Sequence, residues 1–373
     1  MDLSSVRIRE HYGLVSNDTH TGQFSFLVSP PKGRASVEKH DYVLIDHPLF
    51  GEACQVLAVI TDITSYEEVA GSTVSDKMGK MLATAEIAGY VDLRNENKPL
   101  REVLVPPNPG CRVYLPLRKF LEDILNRNTK GEVFKTPIEI GMFQNSSAED
   151  QEKQGLIKCY LDAQDLTSKN SIITAGPGAG KTHLAKVLLQ EISAKTSTQI
   201  ILFDSYNEYL DVIENTRRIE INKKTDKDSL IKMIKKGLIT VLNAQGLELE
   251  EKRSFFLESL QTILRLRLEN KIMPLFLIVE EAENLNGDIL NQAVIEGRKI
   301  GISLCLLTSN PSELGGKILS QIGYQIIGKT TNKEDLSYLS NIAGSTSGTV
   351  HLAVGEWIIN EISNNRPTKI CLK

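Results

Sequence analysis

The run from Ser171 to Ala185, SIITAGPGAGKTHLA, passes from β-branched apolar residues through glycines into Lys-Thr and a helix-forming segment. Ala175 to Thr182 fits the pattern [AG]-x-x-x-x-G-K-[ST], with Gly176, Gly178 and Gly180 inside it. Glycines let backbone N–H groups converge on phosphate oxygens, and a following helix offers its positive N-terminal end. The expectation is a nucleotide loop made of Gly176, Pro177, Gly178, Ala179, Gly180, Lys181, Thr182 and His183. Lys181 would reach the β- and γ-phosphates of ATP, and the Thr182 hydroxyl would hold Mg²⁺. A glycine-rich turn that binds nothing is the plain alternative. The strand before the loop and the helix after it favour the phosphate reading.

Other stretches could complete such chemistry. PLFLIVEEAENL (274–285) is an apolar strand that empties into two acids. Beside a phosphate loop, Glu280 would hold the Mg²⁺ shell through water and Glu281 would act as base toward the attacking water. Two carboxylates opening a solvated helix are the alternative, since acids favour helix N-termini. LCLLTSNPSEL (304–314) ends a further buried strand in polar residues. Its Asn310 either touches the γ-phosphate and orders water or is an ordinary turn residue before proline, and composition leaves both open. In QIILFDSYNEYL (199–210), Asp204 and Glu208 read by composition alone as solvated loop charge.

The elements that must position these residues fall into two grammars. Over residues 1–125, six short strand-like runs recur between Gly and Pro turn signals: GLVSND, QFSFLVS, DYVLIDH, QVLAVITDI, AEIAGYVDL and CRVYLPL. In QFSFLV, Phe24, Phe26 and Val28 repeat with period two, as in a strand with one buried face, and many such strands predict a small all-β barrel or sandwich. LRKFLEDIL (117–125) reads as a closing helix and 126–150 as a linker. From 151 to 373 apolar runs of strand length alternate with helix-length segments: 171–175, 199–204, 238–243, 275–280, 302–309 and 324–328, with helices such as 181–194, 251–269 and 286–299. Runs without alternation, joined by helices, predict a parallel sheet covered on both faces. The C-terminal segment from Thr349 reads as edge strands that finish this sheet.

Bulk properties exclude little. The formal net charge is −4 over 373 residues, so composition does not announce a nucleic-acid binder. Five scattered cysteines without a CxxC pair argue against a zinc ribbon or a disulfide frame, and the histidines lack metal spacing. The N-terminus carries no secretion signal and no apolar run approaches a membrane span, so a soluble cytoplasmic protein is expected. The densest basic run, KKTDKDSLIKMIKK (223–236), holds six lysines against two aspartates. Such a run can grip DNA phosphates around a channel, but a solvated helix face is the commoner meaning.

These motifs in this order resemble the HerA/FtsK superfamily of DNA-translocating ATPases, and HerA within it. FDSYNEYL resembles the family's Asp-Pro-His-Gly-Glu-Tyr element, and VEEAENL its Glu-Glu-Ala-His element. EGRKIGISLCLLTSNPSEL is similar to its Gly-Arg-Lys…Ser-Gln-x-Pro-Ser run, while YQIIGKTTNKEDLSYL and LAVGEWII resemble its closing segments. The N-terminal strands resemble the small barrel that precedes the ATPase. The resemblance implies a RecA-like P-loop ATPase core behind an N-terminal β-barrel, in a homohexamer with ATP sites between neighbours and DNA in the central channel. It also implies a partner nuclease, NurA-like or another effector, in DNA end processing, recombinational repair or phage defence. The family arginine before the phosphate-loop strand, acting in trans, falls on Lys169, and a second, in the Arg-x-Thr-Asn closing element, falls on Lys329. Lysine keeps the charge but loses the planar fork that grips a γ-phosphate, which implies a slow enzyme, with Arg298 as a further trans cation. The alternative is a nucleotide-gated ring scaffold for a nuclease with little turnover.

Overall fold

A computed structural model of the chain describes residues 3–32, 36–39, 41–66, 80–128, 130–143, 157–209, 212, 217–220, 234, 239–343, 352–361 and 366–371. It divides into two compact units, Met1–Phe134 with Met142–Cys159, and Lys135–Gly141 with Tyr160–Lys373.

The first unit holds a closed barrel. Its strands are β1 (Arg7–Thr19), β2 (Gln23–Val28), β3 (Tyr42–His47), β4 (Gly51–Tyr66), β5 (Lys80–Asp92) and β6 (Arg112–Pro116), in the order β1-β2-β5-β4-β3-β6. Every neighbouring pair is antiparallel, and β6 closes on β1. Each of the six runs read from the sequence supplies one strand. The period-two positions fill the interior: Phe24 and Phe26, Val43 and Ile45, Val56, Ala58 and Ile60, and Ala83 and Ala85 form one buried cluster. Helix α1 (Arg118–Leu125) follows, burying Phe120, Leu121 and Ile124.

Among the described residues the second sheet has eleven strands. Those not yet named are β7 (Pro137–Phe143), β8 (Lys158–Asp162), β9 (Asn170–Thr174), β10 (Gln199–Asp204), β11 (Arg217–Glu220), β12 (Ile239–Asn243), β13 (Leu275–Val279), β14 (Ile302–Thr308), β15 (Ile322–Ile327), β16 (Glu356–Glu361) and β17 (Arg366–Cys371). Their order is β11-β12-β10-β13-β14-β9-β15-β16-β17-β7-β8. The seven strands from β11 to β15 run parallel, and β16 and β17 are antiparallel additions. Every residue of β9, β13 and β14 is buried, which is why β13 and most of β14 read as apolar runs without alternation, while β9 also buries Asn170, Ser171 and Thr174.

Two expectations change here. The stretch 126–150, read as a linker, contains β7, which joins this sheet. The C-terminal strands β16 and β17 do not finish the sheet, because β7 and β8 pair beyond them.

Among the helices, α2 (Ala163–Leu166) is a single turn capped by the Asp162 carboxylate. Helix α3 (Lys181–Lys195) buries Leu184, Ala185, Leu188, Leu189 and Ile192, a spacing that makes one helical face. Helix α4 (Leu249–Leu268) starts with a capping box between Glu248 and Glu251. It lays Phe256 flat on Phe203 of β10, ring centroids 4.8 Å apart. Burying one such ring contributes about 1.5–3 kcal/mol. The remaining α-helices among the described residues are α5 (Asp288–Glu296), α6 (Gly316–Leu319) and α7 (Lys333–Ala343). No described helix is long and apolar enough to cross a membrane.

Candidate active site

Four adjacent parallel strands, β10, β13, β14 and β9, end on the same side of the sheet, and each hands its chain to a polar segment. At about 4.8 Å per strand the four ends span roughly 15 Å, the scale of one nucleotide triphosphate. This is the edge at which open α/β sheets bind ligands.

After β9 comes the glycine loop. Gly178 (φ +72°) and Gly180 (φ +101°) hold left-handed conformations that side chains resist, so the loop needs glycine at both places. Gly180 is the N-cap of α3, leaving the helix's first N–H groups without a side-chain cap. The loop is fixed from behind: Gly176 N–H donates to the Lys329 carbonyl at 2.8 Å, and Gly355 N–H to the Ala179 carbonyl at 3.4 Å. Beneath it lies Trp357 of β16, fully buried, close enough that a Cβ on Gly180 would sit 3.8 Å from the indole. The Lys181 ammonium donates to the carbonyls of Ala175 (2.8 Å) and Gly176 (3.3 Å). Burial pulls its pKa below the ordinary lysine value, opposed by Glu283 most strongly, then Glu280, Glu281 and Glu208.

After β10, the Asp204 carboxylate accepts N–H bonds from Tyr206 (3.2 Å), Asn207 (2.7 Å) and Glu208 (3.2 Å), folding the loop over itself. Asn207 sits at φ +66°, which asparagine tolerates better than most residues. This turn aims Glu208 at α3, where its Oε2 accepts from the Thr182 hydroxyl at 2.9 Å. Tyr209, buried, donates to Glu280 Oε1 at 2.7 Å.

After β13, Glu280 is 6% exposed and its Oε2 has no hydrogen-bond partner. Burial first, with the like charges of Asp204, Glu208 and Glu281, pushes its pKa up to about 8 against the Tyr209 hydrogen bond. Glu281 occupies a left-handed conformation (φ 47°, ψ 47°) and accepts from Asn284 Nδ2 at 3.2 Å. A glutamate held there stores about 1–3 kcal/mol of backbone strain, a cost that clusters at functional positions. Glu280 and Glu281 border a hollow lined also by Ser205, Lys252, Arg253 and Asn284. The Lys252 ammonium lies 4.3 Å from the centre of the Tyr206 ring.

After β14, Asn310 stands at the tip, its N–H bonded to Thr308 Oγ1 at 3.0 Å. Its neighbour Ser309 donates its N–H to Glu283 Oε1 at 3.0 Å.

The sequence-derived residues therefore split into two groups. Lys181, Thr182, Glu280, Glu281 and Asn310 meet at the carboxyl ends of adjacent strands. Pro177 and His183 are exposed on the same loop and helix start, and Lys329, exposed, lends its carbonyl to that loop. Lys169 and Arg298 lie at the opposite side of the sheet. Lys169 precedes β9, and Arg298 sits in the turn Gly297–Ile300 before β14. Five residues of strand, roughly 16 Å, separate Lys169 from the loop on its own chain. Lys169 pairs with Asp165 at 2.7 Å and lies 5.1 Å from the Tyr324 ring, whose hydroxyl also donates to Asp165. Arg298 is exposed. The basic run 223–236 falls, apart from Ile234, outside the described residues.

Composition did not single out Glu208, Tyr209 or Glu283. Glu208 and Tyr209 were signalled only by the likeness of FDSYNEYL to a family element, and Glu283 by nothing but its place in VEEAENL.

Residues 138–265 match the family described as "Helicase HerA, central domain". The chain is similar to the DNA double-strand break repair helicase HerA of Sulfolobus acidocaldarius, 31% identical over 176 residues, covering 42% of this chain and 34% of that protein. The protein of the same name from Sulfurisphaera tokodaii is 29% identical over 178 residues, covering 42% and 36%. The chain thus matches about a third of the length of these curated relatives. Among solved structures, VirB4 of Thermoanaerobacter pseudethanolicus superposes with a TM-score of 0.48 at 15% identity, covering 64% of this chain and 96% of that one.

Proposed function

From a chain whose residues 138–265 carry the HerA central domain, we propose an ATP-driven DNA motor: a homohexamer that hydrolyses ATP at this site and moves duplex DNA through its channel, beside a partner nuclease. One observation carries the reading. The phosphate loop, the acid pair and the polar tip of β14 stand at the ends of neighbouring parallel strands, the order in which binding, base and water-orienting groups are needed. DNA as the substrate is supported by the names of the two relatives, which are DNA double-strand break repair helicases.

The residues present fit a magnesium ion brought by the nucleotide. Glu280 Oε2 is buried without a partner, and the Thr182 hydroxyl stands with Glu208. Among the described residues no group of three or more His, Cys, Asp or Glu is arranged to hold a metal alone, so phosphate and water oxygens would complete the shell. When bound, the ion would neutralise charge on the β- and γ-phosphates. The chain's own residues do the rest. Lys181 leaves its loop carbonyls for a phosphate oxygen, and the loop N–H groups hold the others. Glu281 takes the proton of the attacking water, which Asn310 orients in line with the γ-phosphate. Arg298, and Lys169 if released from Asp165, face a neighbouring subunit's nucleotide, since neither reaches its own.

The clamp of Asp165 and Tyr324 on Lys169 favours a second reading, a nucleotide-gated ring scaffold that turns over little. Steady-state ATP hydrolysis by the full chain, with and without linear duplex DNA, separates the two. The motor predicts DNA-stimulated turnover lost in both Lys181→Ala and Glu281→Gln. Tight ATP binding with no turnover at any DNA concentration would establish the scaffold.

A further inference from the structure

Glu283 is a carboxylate of this site that neither the phosphate-loop pattern nor the acid pair accounts for, and unlike Asp204 and Glu208 it reaches the tip of β14. It lies three residues past Glu280 on the short turn Ala282–Leu285 that follows β13. Its Oε1 reaches sideways to the neighbouring strand and accepts the Ser309 N–H at 3.0 Å, one residue before Asn310. Its Oε2 is buried and has no hydrogen-bond partner. β14, whose tip it holds, runs between β13 and the loop-bearing β9. A single side chain thus spans from the acid turn to the sensor tip, and of the carboxylates that act on Lys181 its charge acts most strongly.

We propose that Glu283 is a positioning residue with two separable tasks: its tether sets Asn310 against the attacking water, and its negative charge opposes the triphosphate for Lys181, weakening ATP binding in exchange for a defined sensor geometry. The proposal rests on the nucleotide reading above and deepens it. The physical logic is a division of the carboxylate. One oxygen is spent on a backbone N–H, which any side-chain carbonyl can replace. The other contributes only charge. A buried, unpartnered carboxylate oxygen carries a large desolvation cost, and it persists where the site uses it. Phosphate oxygens arriving near Glu283 meet like charge in a low-dielectric setting, and the Lys181 ammonium is shared between the two.

Substitution separates the tasks because glutamine keeps a carbonyl for Ser309 and discards the charge, while alanine discards both. Binding of a fluorescent, non-hydrolysable ATP analogue and DNA-stimulated turnover are measured on the full-length wild type, Glu283→Gln and Glu283→Ala, with Lys181→Ala as the reference for loss of the loop. Both Glu283 variants are expected to bind the analogue roughly fivefold tighter than wild type. Turnover at saturating ATP is expected to fall about tenfold or more in Glu283→Ala, as misplacing a water-orienting group does, and to be recovered in large part by Glu283→Gln. Analogue affinity unchanged or weakened in both variants would overturn the charge task. Equal turnover in the two variants would overturn the tether, and so would a common drop in melting temperature that accounts for both losses. If wild type and Lys181→Ala fail alike to bind the analogue, the nucleotide reading itself falls and takes this inference with it.

Discussion

The site's energetics turn on single carboxylates that the fold holds in unfavourable places. Glu280, buried with one orphaned oxygen, keeps its proton to about pH 8, whereas the unfolded chain releases it near the ordinary glutamate value of 4.5. The folded state therefore binds more protons between those values, and the group's contribution to stability is fully present below about 4.5 and is lost as pH rises through about 8. Melting temperature measured without nucleotide or divalent metal should fall from pH 6 to pH 9 in the wild type, and Glu280→Gln should flatten that decline. Equal slopes in the two proteins would mean that Glu280 is already ionised. Glu281 makes a second case, because its left-handed backbone is strain that a glycine relieves. Glu281→Gly should stabilise the chain by about 1 kcal/mol while abolishing turnover, whereas Glu281→Gln should abolish turnover with no gain in stability. Denaturant melts beside the ATPase assay check both. The identities of Lys181, Thr182, Glu280 and Glu281 were legible because their spacing to glycines and to a strand end is local. Glu208 and Glu283 were not, since a carboxylate in a polar loop looks solvated until the fold shows which hydroxyl or N–H it reaches.

At the scale of elements, the loop depends on what backs it. β15 and β16 bring Gly328 and Trp357 under the phosphate loop so closely that a Cβ at Gly328 would lie 2.8 Å from both the Ala175 Cβ and the indole. Neither neighbour is the free end of a flexible chain. Gly328→Ala should therefore cost about 1–3 kcal/mol of stability and displace the Ala175 end of the loop, weakening nucleotide binding beyond what the stability loss explains. Trp357 is the chain's only tryptophan, so its emission gives the binding readout directly in the wild type and the variant. An unchanged nucleotide affinity in a destabilised Gly328→Ala would show that the loop does not lean on this contact. The parallel strands were readable because burial on both faces makes continuous apolar runs, as in β13 and β14. β7 and β8 were not. They are short, mix polar with apolar residues, and join the sheet beyond β17, some two hundred residues later in sequence, a pairing that no local pattern announces.

At the scale of the whole molecule, each of the two compact units has a buried cluster of its own, one inside the barrel and one on the parallel sheet. An ATP analogue at about one hundred times its dissociation constant stabilises whatever binds it by about 2.7 kcal/mol. Calorimetry should then show a transition belonging to the sheet unit that rises by several degrees with analogue, and a barrel transition that does not move. A single transition shifting as one would mean that the units unfold together. Under the proposed assembly, Lys169 and Arg298, which lie away from the loop of their own chain, would serve a neighbour's nucleotide. The motor reading is tested most directly by displacement of the third strand from a DNA triplex placed on linear duplex, using the full chain with ATP. Displacement that requires hydrolysable ATP and disappears in Glu281→Gln is the predicted result. A chain that binds ATP and duplex yet never displaces the third strand, with hydrolysable ATP or without, would contradict it.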